Sequence, residues 1–325
     1  MLGHFDGPTM TVVVNPHAGR GRAKKLLPQI VAHLVQALPD THVQVHQTTN
    51  YDDARLRTIR AVERARPTSQ GGPGDSLVVV GGDGMAHLGV NACAGTDVTL
   101  GVIPAGTGND FCRGVGIPTK VRAATRLVGQ GHAERIDLVK ADGALVDGAT
   151  SRYVGCSISS GYDAKVNIRA NALTLPLGSL AYAYSALTEL AVFEPLNYRL
   201  TIDGQPWHEP AMLVAVSNSA YIGGGIKISP KADVTDGHLD LTLVSPVSRA
   251  TLLRLLPELF TGSFVRDPAV ELVRARTVTI DGDDMVAMAD GEHLGELPIT
   301  ASVAPRVLSL YRTRDPRAID DAPLA

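Results

Sequence analysis

The chain has few cysteines, and their arrangement excludes two common architectures. Among 325 residues there are three cysteines, Cys93, Cys112 and Cys156, an odd number without CxxC spacing. A disulfide framework or a thiolate metal site needs paired or closely spaced cysteines. We therefore expect three small buried side chains in a reducing compartment.

Long apolar runs and blocks of like charge are also lacking. No stretch of eighteen apolar residues occurs, and no basic region followed by an apolar segment opens the chain. The sequence thus predicts neither a membrane span nor a signal peptide, and we expect a cytoplasmic protein. The net charge is −3 and no five like charges stand in a row, so a nucleic-acid partner is not expected. A modest basic cluster consists of Arg20, Arg22, Lys24 and Lys25.

The familiar catalytic fingerprints are missing too. The chain has no GxxxxGK[ST] loop, no GxGxxG, no HExxH and no serine nucleophile elbow. These absences argue against a Walker-type NTPase, a Rossmann dinucleotide site, a zincin metalloprotease and an α/β-hydrolase. Phosphate-binding loops of other kinds are left open.

The order of the predicted elements changes near residue 135. Residues 1–134 alternate apolar strands with amphipathic helices, which predicts a doubly wound α/β nucleotide-binding domain, with residues 306–325 available to complete it. Residues 135–305 are dominated by short alternating strands, with Asp-Gly turns such as Asp142-Gly143 and Asp203-Gly204. This pattern predicts a second domain that is an antiparallel β-sandwich or barrel.

Three loops rich in small residues follow predicted strands of the first domain. They are 15–21 (NPHAGRG), 81–85 (GGDGM) and 105–111 (AGTGNDF). Each could be an ordinary turn, because glycine, asparagine and aspartate are standard turn residues. All three, however, leave carboxyl ends of strands, where doubly wound sheets bind their ligands. We therefore predict a nucleotide phosphate site, with Asp83 facing the phosphates or their Mg²⁺.

The second domain contains two acidic turns. Asp233, Asp236 and Asp240 surround a turn that is either a hairpin with surface acids or a hard-cation site. Asp290-Gly291-Glu292 places two carboxylates at another turn, and on spacing alone a solvated hairpin tip is the better interpretation. The sequence alone does not choose between these alternatives.

Together these motifs make the chain resemble the diacylglycerol kinase catalytic-domain family, in particular the bacterial soluble lipid kinases. The resemblance extends from about Val12 to Tyr311. The matching motifs, in chain order, are Asn15-Pro16-x-x-Gly19, Gly81-Gly82-Asp83-Gly84, Pro104-x-Gly106-Thr107-Gly108-Asn109-Asp110-Phe111, Gly161-Tyr162-Asp163-Ala164, Asn218 with Gly223-Gly224-Gly225, Pro230-x-Ala232-x-x-x-Asp236-Gly237-x-Leu239-Asp240, and Asp290-Gly291-Glu292.

The resemblance implies roles for residues at the matching positions. Glu292 would be the general base, with Asp290 beside it and Asp83 at the phosphates. A structural Mg²⁺ would lie on Asp233, Asp236 and the main chain of His238. ATP would lie in a cleft between the domains, on Asn15, Pro16, His17, Ala18, Gly19, Thr48, Gly81, Gly82, Asp83, Gly84, Met85 and Thr107.

The resemblance therefore implies an ATP-dependent lipid kinase that converts diacylglycerol to phosphatidic acid. Another lipid acceptor, such as a sphingoid base or a polyprenol, is one alternative, and a non-catalytic nucleotide- or lipid-binding regulator is another. Met85 stands where the family usually has threonine or serine, so nucleotide contacts there would come from the backbone.

The implied lipid substrate requires transient contact with a membrane surface. Two apolar segments are candidates for that contact, 173–177 and the segment with Phe260 and Phe264, although interior packing is favoured for both. Homodimer formation is compatible with the sequence.

Overall fold

The computed structural model describes residues 7–66, 74–162, 165, 194–283, 285–315, 317–319 and 324. The chain divides into two compact units. The first unit comprises residues 1–137 and 306–325, and the second comprises residues 138–305.

The first unit is built on a parallel sheet with strand order β4-β3-β1-β2, and the end of β15 joins β4 through the parallel pair Leu310 and Leu100. Every residue of β3 is buried, as expected for a central strand that is covered on both faces. The strands of this sheet are β1 (Thr9–Val14), β2 (His42–Gln47), β3 (Ser76–Gly81), β4 (Thr99–Pro104) and the end of β15 (Glu292–Tyr311).

Helices follow these strands and bury their apolar stripes against the sheet. Ile30 and Leu34, on one face of α1, pack with Val12 and Val78 of the strands in a hydrophobic core of this unit. The helices are α1 (Ala18–Ala37), α2 (Tyr51–Glu63), α3 (Asp83–Cys93), α4 (Asp110–Val115) and α5 (Val121–Gly129). This arrangement places the three small-residue loops at the carboxyl ends of β1, β3 and β4.

The second unit is an antiparallel β-sandwich. One row of hydrogen-bonded strands runs β12-β11-β10-β7-β14-β15, and β15 also pairs with β5 and with β13, which continues to β8 and β9. The strands are β5 (Ala133–Leu145), β6 (Ser151–Val154), β7 (Ser157–Gly161), β8 (Leu196–Ile202), β9 (Gln205–Ala211), β10 (Leu213–Ser217), β11 (Leu239–Val244), β12 (Val270–Ala275), β13 (Thr277–Asp281), β14 (Val286–Ala289) and β15. The predicted fold class, an α/β unit followed by an antiparallel sandwich, is confirmed.

One predicted turn is wrong. Asp142-Gly143 lies inside β5, which continues to Leu145, and the chain turns only at Val146–Gly148. A Cβ on Gly143 would lie 3.0 Å from the Pro298 carbonyl oxygen, so glycine serves here for close approach to β15.

Helix α2 is capped by Asn50, whose side chain accepts the Asp53 N–H. Asp53 lies in the first turn of the helix and accepts the Thr49 N–H.

The second unit also contains helix α6 (Arg249–Thr261), which buries Leu252 and Leu255. Phe264 is also in that core, as the interior interpretation predicted, whereas Phe260 is 57% exposed and Leu253 is 51% exposed. The segment 173–177 lies outside the described residues. Within the described ranges, no helix combines the length and apolar character that a membrane crossing requires.

Candidate functional site

The three loops of the first unit are tied to one another through their backbones. The Asn15 N–H, which follows β1, donates to the Val80 carbonyl of β3 at 3.0 Å. The Ala105 N–H, which follows β4, donates to the Gly81 carbonyl at 2.7 Å. The loops after β1, β3 and β4 therefore form one structure at the sheet edge where a doubly wound fold binds its ligand.

The first loop packs directly on the third. Gly19, Arg20 and Gly21 all have left-handed backbone angles at the start of α1. A Cβ on Gly19 would lie 2.2 Å from the Ala105 carbonyl oxygen, so no other residue fits there without moving a loop. Earlier in the loop, the His17 N–H donates to Asn15 Oδ1 at 3.0 Å, which closes the beginning of the loop.

The carboxylate of Asp83 holds the third loop. Its Oδ2 accepts the Asn109 N–H at 2.7 Å, and its Oδ1 accepts the Phe111 N–H at 3.3 Å. Helix α3 begins at Asp83 itself, with the Met85 and Ala86 N–H groups donating to the Gly82 carbonyl. Asp83 is therefore in the first helical turn, where a negative charge is favourable, and not at the tip of a free turn.

Gly82 of the second loop packs against Gly106 of the third loop. A Cβ on Gly106 would lie 2.5 Å from the Gly82 Cα, so these two backbones touch. Asn109 has a left-handed backbone, and its side chain binds both the N–H and the carbonyl of Gly106. These bonds fix the loop before the short helix α4.

Met85 and Thr48 are both buried, whereas Thr107 is exposed. The Met85 side chain covers Gly81, because a Cβ on that glycine would lie 2.4 Å from Met85 Cγ. The Thr48 hydroxyl donates to the Val14 carbonyl at 3.1 Å, which ties the residue after β2 to the end of β1. Of these three side chains, only that of Thr107 projects where a ligand has access.

Two arginines that sequence reasoning gave no role flank the third loop. The Arg22 guanidinium donates to the Gly106 carbonyl at 3.2 Å, and the Arg113 guanidinium donates to the Gly108 carbonyl at 3.3 Å. They bring two positive charges to a turn whose backbone is glycine-rich. Arg22 belongs to the basic cluster of the sequence, which is the only signal that pointed to it.

Cysteine chemistry is absent from this site. Cys112 is buried in α4, and burial, followed by the charge of Asp83, raises the pKa of its thiol well above the usual range. Burial likewise raises the pKa of Cys93. Both thiols are protonated at neutral pH, so neither is a nucleophile.

In the second unit, Asp290 and Gly291 form a two-residue hairpin turn between β14 and β15. Their φ angles are 50° and 88°, the pair of positive angles that a type I′ turn requires. The Asp290 carboxylate accepts N–H groups from Gly155, Cys156 and Ser157, at 2.9, 2.9 and 3.1 Å. Glu292 is the exposed first residue of β15.

The proposed cation site has an all-oxygen donor set. Asp233 Oδ1 accepts two bonds from Thr235, while the carboxylate of Asp236 accepts the His238 N–H on one oxygen and pairs with Arg274 on the other. Burial, followed by repulsion from Asp236, raises the pKa of Asp240. Within the described ranges, no three His, Cys, Asp or Glu side chains converge to hold a metal ion.

This donor set still fits Mg²⁺ in its chemistry. Magnesium prefers oxygen ligands and usually keeps several waters, so that one or two carboxylates are enough. Burial is the larger cause of the raised pKa of Asp240, and the repulsion from Asp236 that adds to it indicates a negative local field. Arg274 already supplies one positive charge to that field.

Comparison with known proteins follows the same division of the chain. Residues 9–141 match the model of the diacylglycerol kinase catalytic domain, and residues 156–312 match the YegS C-terminal NAD kinase beta sandwich-like domain. A diacylglycerol kinase of Mycobacterium tuberculosis strain H37Rv is 36% identical over 307 residues, covering 94% of this chain and 95% of the relative. A diacylglycerol kinase of Bacillus subtilis strain 168 is 29% identical, covering 88% and 90%.

A solved structure agrees on the fold. The crystal structure of a diacylglycerol kinase from Bacillus anthracis superposes with a TM-score of 0.70 at 22% identity, covering 97% of this chain and 99% of the other.

Proposed function

Because this chain belongs to the diacylglycerol kinase family, we propose that it is an ATP-dependent lipid kinase that phosphorylates diacylglycerol to give phosphatidic acid. The family is one of kinases, which implies use of a nucleotide. The lipid acceptor and the product are the parts that the proposal adds.

The observation that carries the proposal is the interlocking of the three loops at the carboxyl ends of β1, β3 and β4. Backbone hydrogen bonds join all three, and glycines let the first and second loops touch the third. Phosphoryl transfer depends on positioning and charge stabilisation rather than on covalent chemistry by the protein. A braced, glycine-lined backbone with Arg22 and Arg113 beside it suits the polyphosphate of ATP.

The proposed reaction gives each residue a limited task. The acceptor hydroxyl oxygen forms a bond to the γ-phosphorus, and the bond from that phosphorus to the β–γ bridging oxygen breaks, leaving ADP. Glu292 takes the proton of the hydroxyl as general base. Asp83 holds the loops that contact the phosphates, through its bonds to Asn109 and Phe111.

Mg²⁺ belongs to the proposal in two places. It would accompany ATP near Asp83, where it would offset the charge of the phosphates, and it would bind as a structural ion at Asp233, Asp236 and the main chain of His238. The role of the protein at both places is to supply oxygen ligands of fixed orientation.

The substitution Glu292→Gln tests the base assignment. We expect turnover to fall at least about 100-fold, the lower limit of what a general base contributes, with KM for ATP unchanged. Glu296→Gln is the matched control, since Glu296 is also exposed and lies on the same strand. A Glu292→Gln enzyme that keeps its turnover within about tenfold of the wild type would overturn the assignment, because tenfold corresponds to only about 1.4 kcal/mol.

The alternatives are separated by the acceptor. Labelled ATP offered with diacylglycerol, a sphingoid base and a polyprenol shows which lipid is phosphorylated. Met85 favours a non-catalytic regulator, because it replaces a hydroxyl near the phosphates with a buried thioether. Measurable ATP binding with no turnover on any of the three lipids would support the regulator.

A further inference from the structure

The Asp290 carboxylate fixes the tip of one hairpin to a neighbouring strand. Oδ2 accepts the Gly155 N–H, and Oδ1 accepts the N–H groups of Cys156 and Ser157. The Asp290 N–H in turn donates to the Ser157 carbonyl at 3.2 Å. Four bonds therefore hold this one residue to the beginning of β7.

The backbone of Glu292, directly after that hairpin tip, has little freedom to move. It stands opposite Ala289 in the β14–β15 ladder, and Ala289 pairs with Ile158 in the β14–β7 ladder. The turn between them contains only Asp290 and Gly291. The position of the Glu292 backbone thus depends on how Asp290 holds the tip to β7.

We propose that Asp290 is a positioning residue for the proton acceptor Glu292 and is not itself a proton acceptor. Both of its oxygens already receive N–H groups, so capture of a proton from an alcohol would weaken bonds that hold the hairpin. Among the described residues, no hydrogen bond or ion pair engages the Glu292 carboxylate, which is exposed. This inference rests on the proposed kinase function.

A second hairpin turn in the same unit has the same aspartate anchor, although no catalytic role is proposed for it. Asp203 and Gly204 form the hairpin between β8 and β9, with φ angles of 47° and 82°. The Asp203 N–H donates to the Thr277 carbonyl, and its Oδ1 accepts the N–H groups of Arg276 and Thr277 at 2.9 and 2.8 Å. The same anchor is thus followed by Gln205 in one hairpin and by Glu292 in the other.

Asp290→Asn and Asp290→Ala distinguish positioning from proton transfer. The asparagine Oδ1 can still accept from Cys156 and Ser157, while its amide group faces the Gly155 N–H and loses that bond; alanine loses all three. We expect kcat/KM to fall roughly 100-fold in Asp290→Ala, as for a displaced reacting group, and at most about tenfold in Asp290→Asn. Neither variant has a carboxylate, so a base role for Asp290 requires a loss of roughly 100-fold or more in Asp290→Asn as well.

The pH profile supplies a second readout. If Asp290 only positions Glu292, Asp290→Asn keeps the acid limb of kcat/KM, because the proposed base is still present. Loss of that limb in Asp290→Asn, or equal inactivity of the asparagine and alanine variants at native unfolding temperatures, would overturn the proposal.

Asp203→Asn and Asp203→Ala are the matched controls. They remove the same anchor from the other hairpin, so we expect a lower unfolding temperature with kcat/KM unchanged. If they reduce kcat/KM as strongly as the Asp290 variants, general loosening of the sandwich explains both and the proposal fails. Glu292→Gln in the same assay separates this failure from that of the proposed function, since unchanged turnover there removes the base assignment itself.

Discussion

Replacing Gly19 by alanine should measure how strongly the first loop packs on the third. Gly19 has a φ of 60°, and its added Cβ would lie 2.2 Å from the Ala105 carbonyl oxygen. Gly21, two residues on, has a φ of 85° with no atom within 4 Å of its added Cβ. Alanine at either position incurs roughly 1–2 kcal/mol for the left-handed backbone. Only alanine at position 19 also forces a backbone contact apart, which adds roughly 1–3 kcal/mol.

The measurement is the difference between the two variants. A free-energy difference of about 1–3 kcal/mol corresponds to about 2–12 °C in unfolding temperature for a protein unit of about 150–250 residues. Scanning calorimetry gives that difference, and KM for ATP should rise more for Gly19→Ala than for Gly21→Ala because the third loop moves. Equal unfolding temperatures and equal KM values in the two variants would show that the loops do not pack on each other in solution.

Three other changes test separate parts of the molecule. Arg22→Ala should raise KM for ATP roughly fivefold or more, because hydrogen bonds with charged groups contribute about 1.5–3 kcal/mol when buried and less when exposed. Lys24 is also exposed, and Lys24→Ala should leave KM unchanged. In metal-free buffer, Asp240→Asn should raise the unfolding temperature at pH 7 but not at pH 3. Burial and the charge of Asp236 raise the pKa of Asp240, so ionisation of this carboxyl destabilises the folded protein as the pH rises through the folded-state pKa. A gain in unfolding temperature that persists at pH 3 would contradict this reasoning. Phe260→Asp should reduce sedimentation of the protein with anionic vesicles. Val35→Asp, at a 51% exposed position of α1, is the control and should not reduce it. Equal vesicle binding by both variants would show that the surface of α6 around Phe260 is not a membrane contact.

The sequence predicted the main features of the fold because its signals were local. Buried apolar runs marked β3 and β4, and Asp-Gly pairs marked the hairpins at Asp203 and Asp290. The Asp142-Gly143 pair also predicted a turn, and that prediction is wrong. The φ of 159° at Gly143 is that of extended backbone, and the glycine allows close packing against a strand more than 150 residues away in the sequence. Turn composition alone carries no information about such a partner.

The loops of the candidate site were predictable as a set, but their mutual contacts were not. Parallel strands bring their carboxyl ends to one edge, which follows from element order. That Gly19 touches Ala105, or that Arg22 reaches Gly106, depends on the left-handed path of residues 19–21. This path is tertiary information, because its non-glycine member, Arg20, has no intrinsic preference for it.

The acidic residues show most clearly where sequence reasoning ends. Both Asp83 and Asp290 were given a chemical interpretation, Asp83 because it lies in a glycine-rich turn after a buried strand, and Asp290 because the family resemblance places it beside the general base. In the structure each accepts backbone N–H groups from a distant segment, 26 residues away for Asp83 and Asn109 and 135 residues away for Asp290 and Gly155. Asp203 does the same where no chemistry is proposed. Holding backbone in place is therefore the common property of these aspartates. In the proposed reaction we expect the proton acceptor to be Glu292, which is exposed and follows a hairpin that an aspartate holds in place.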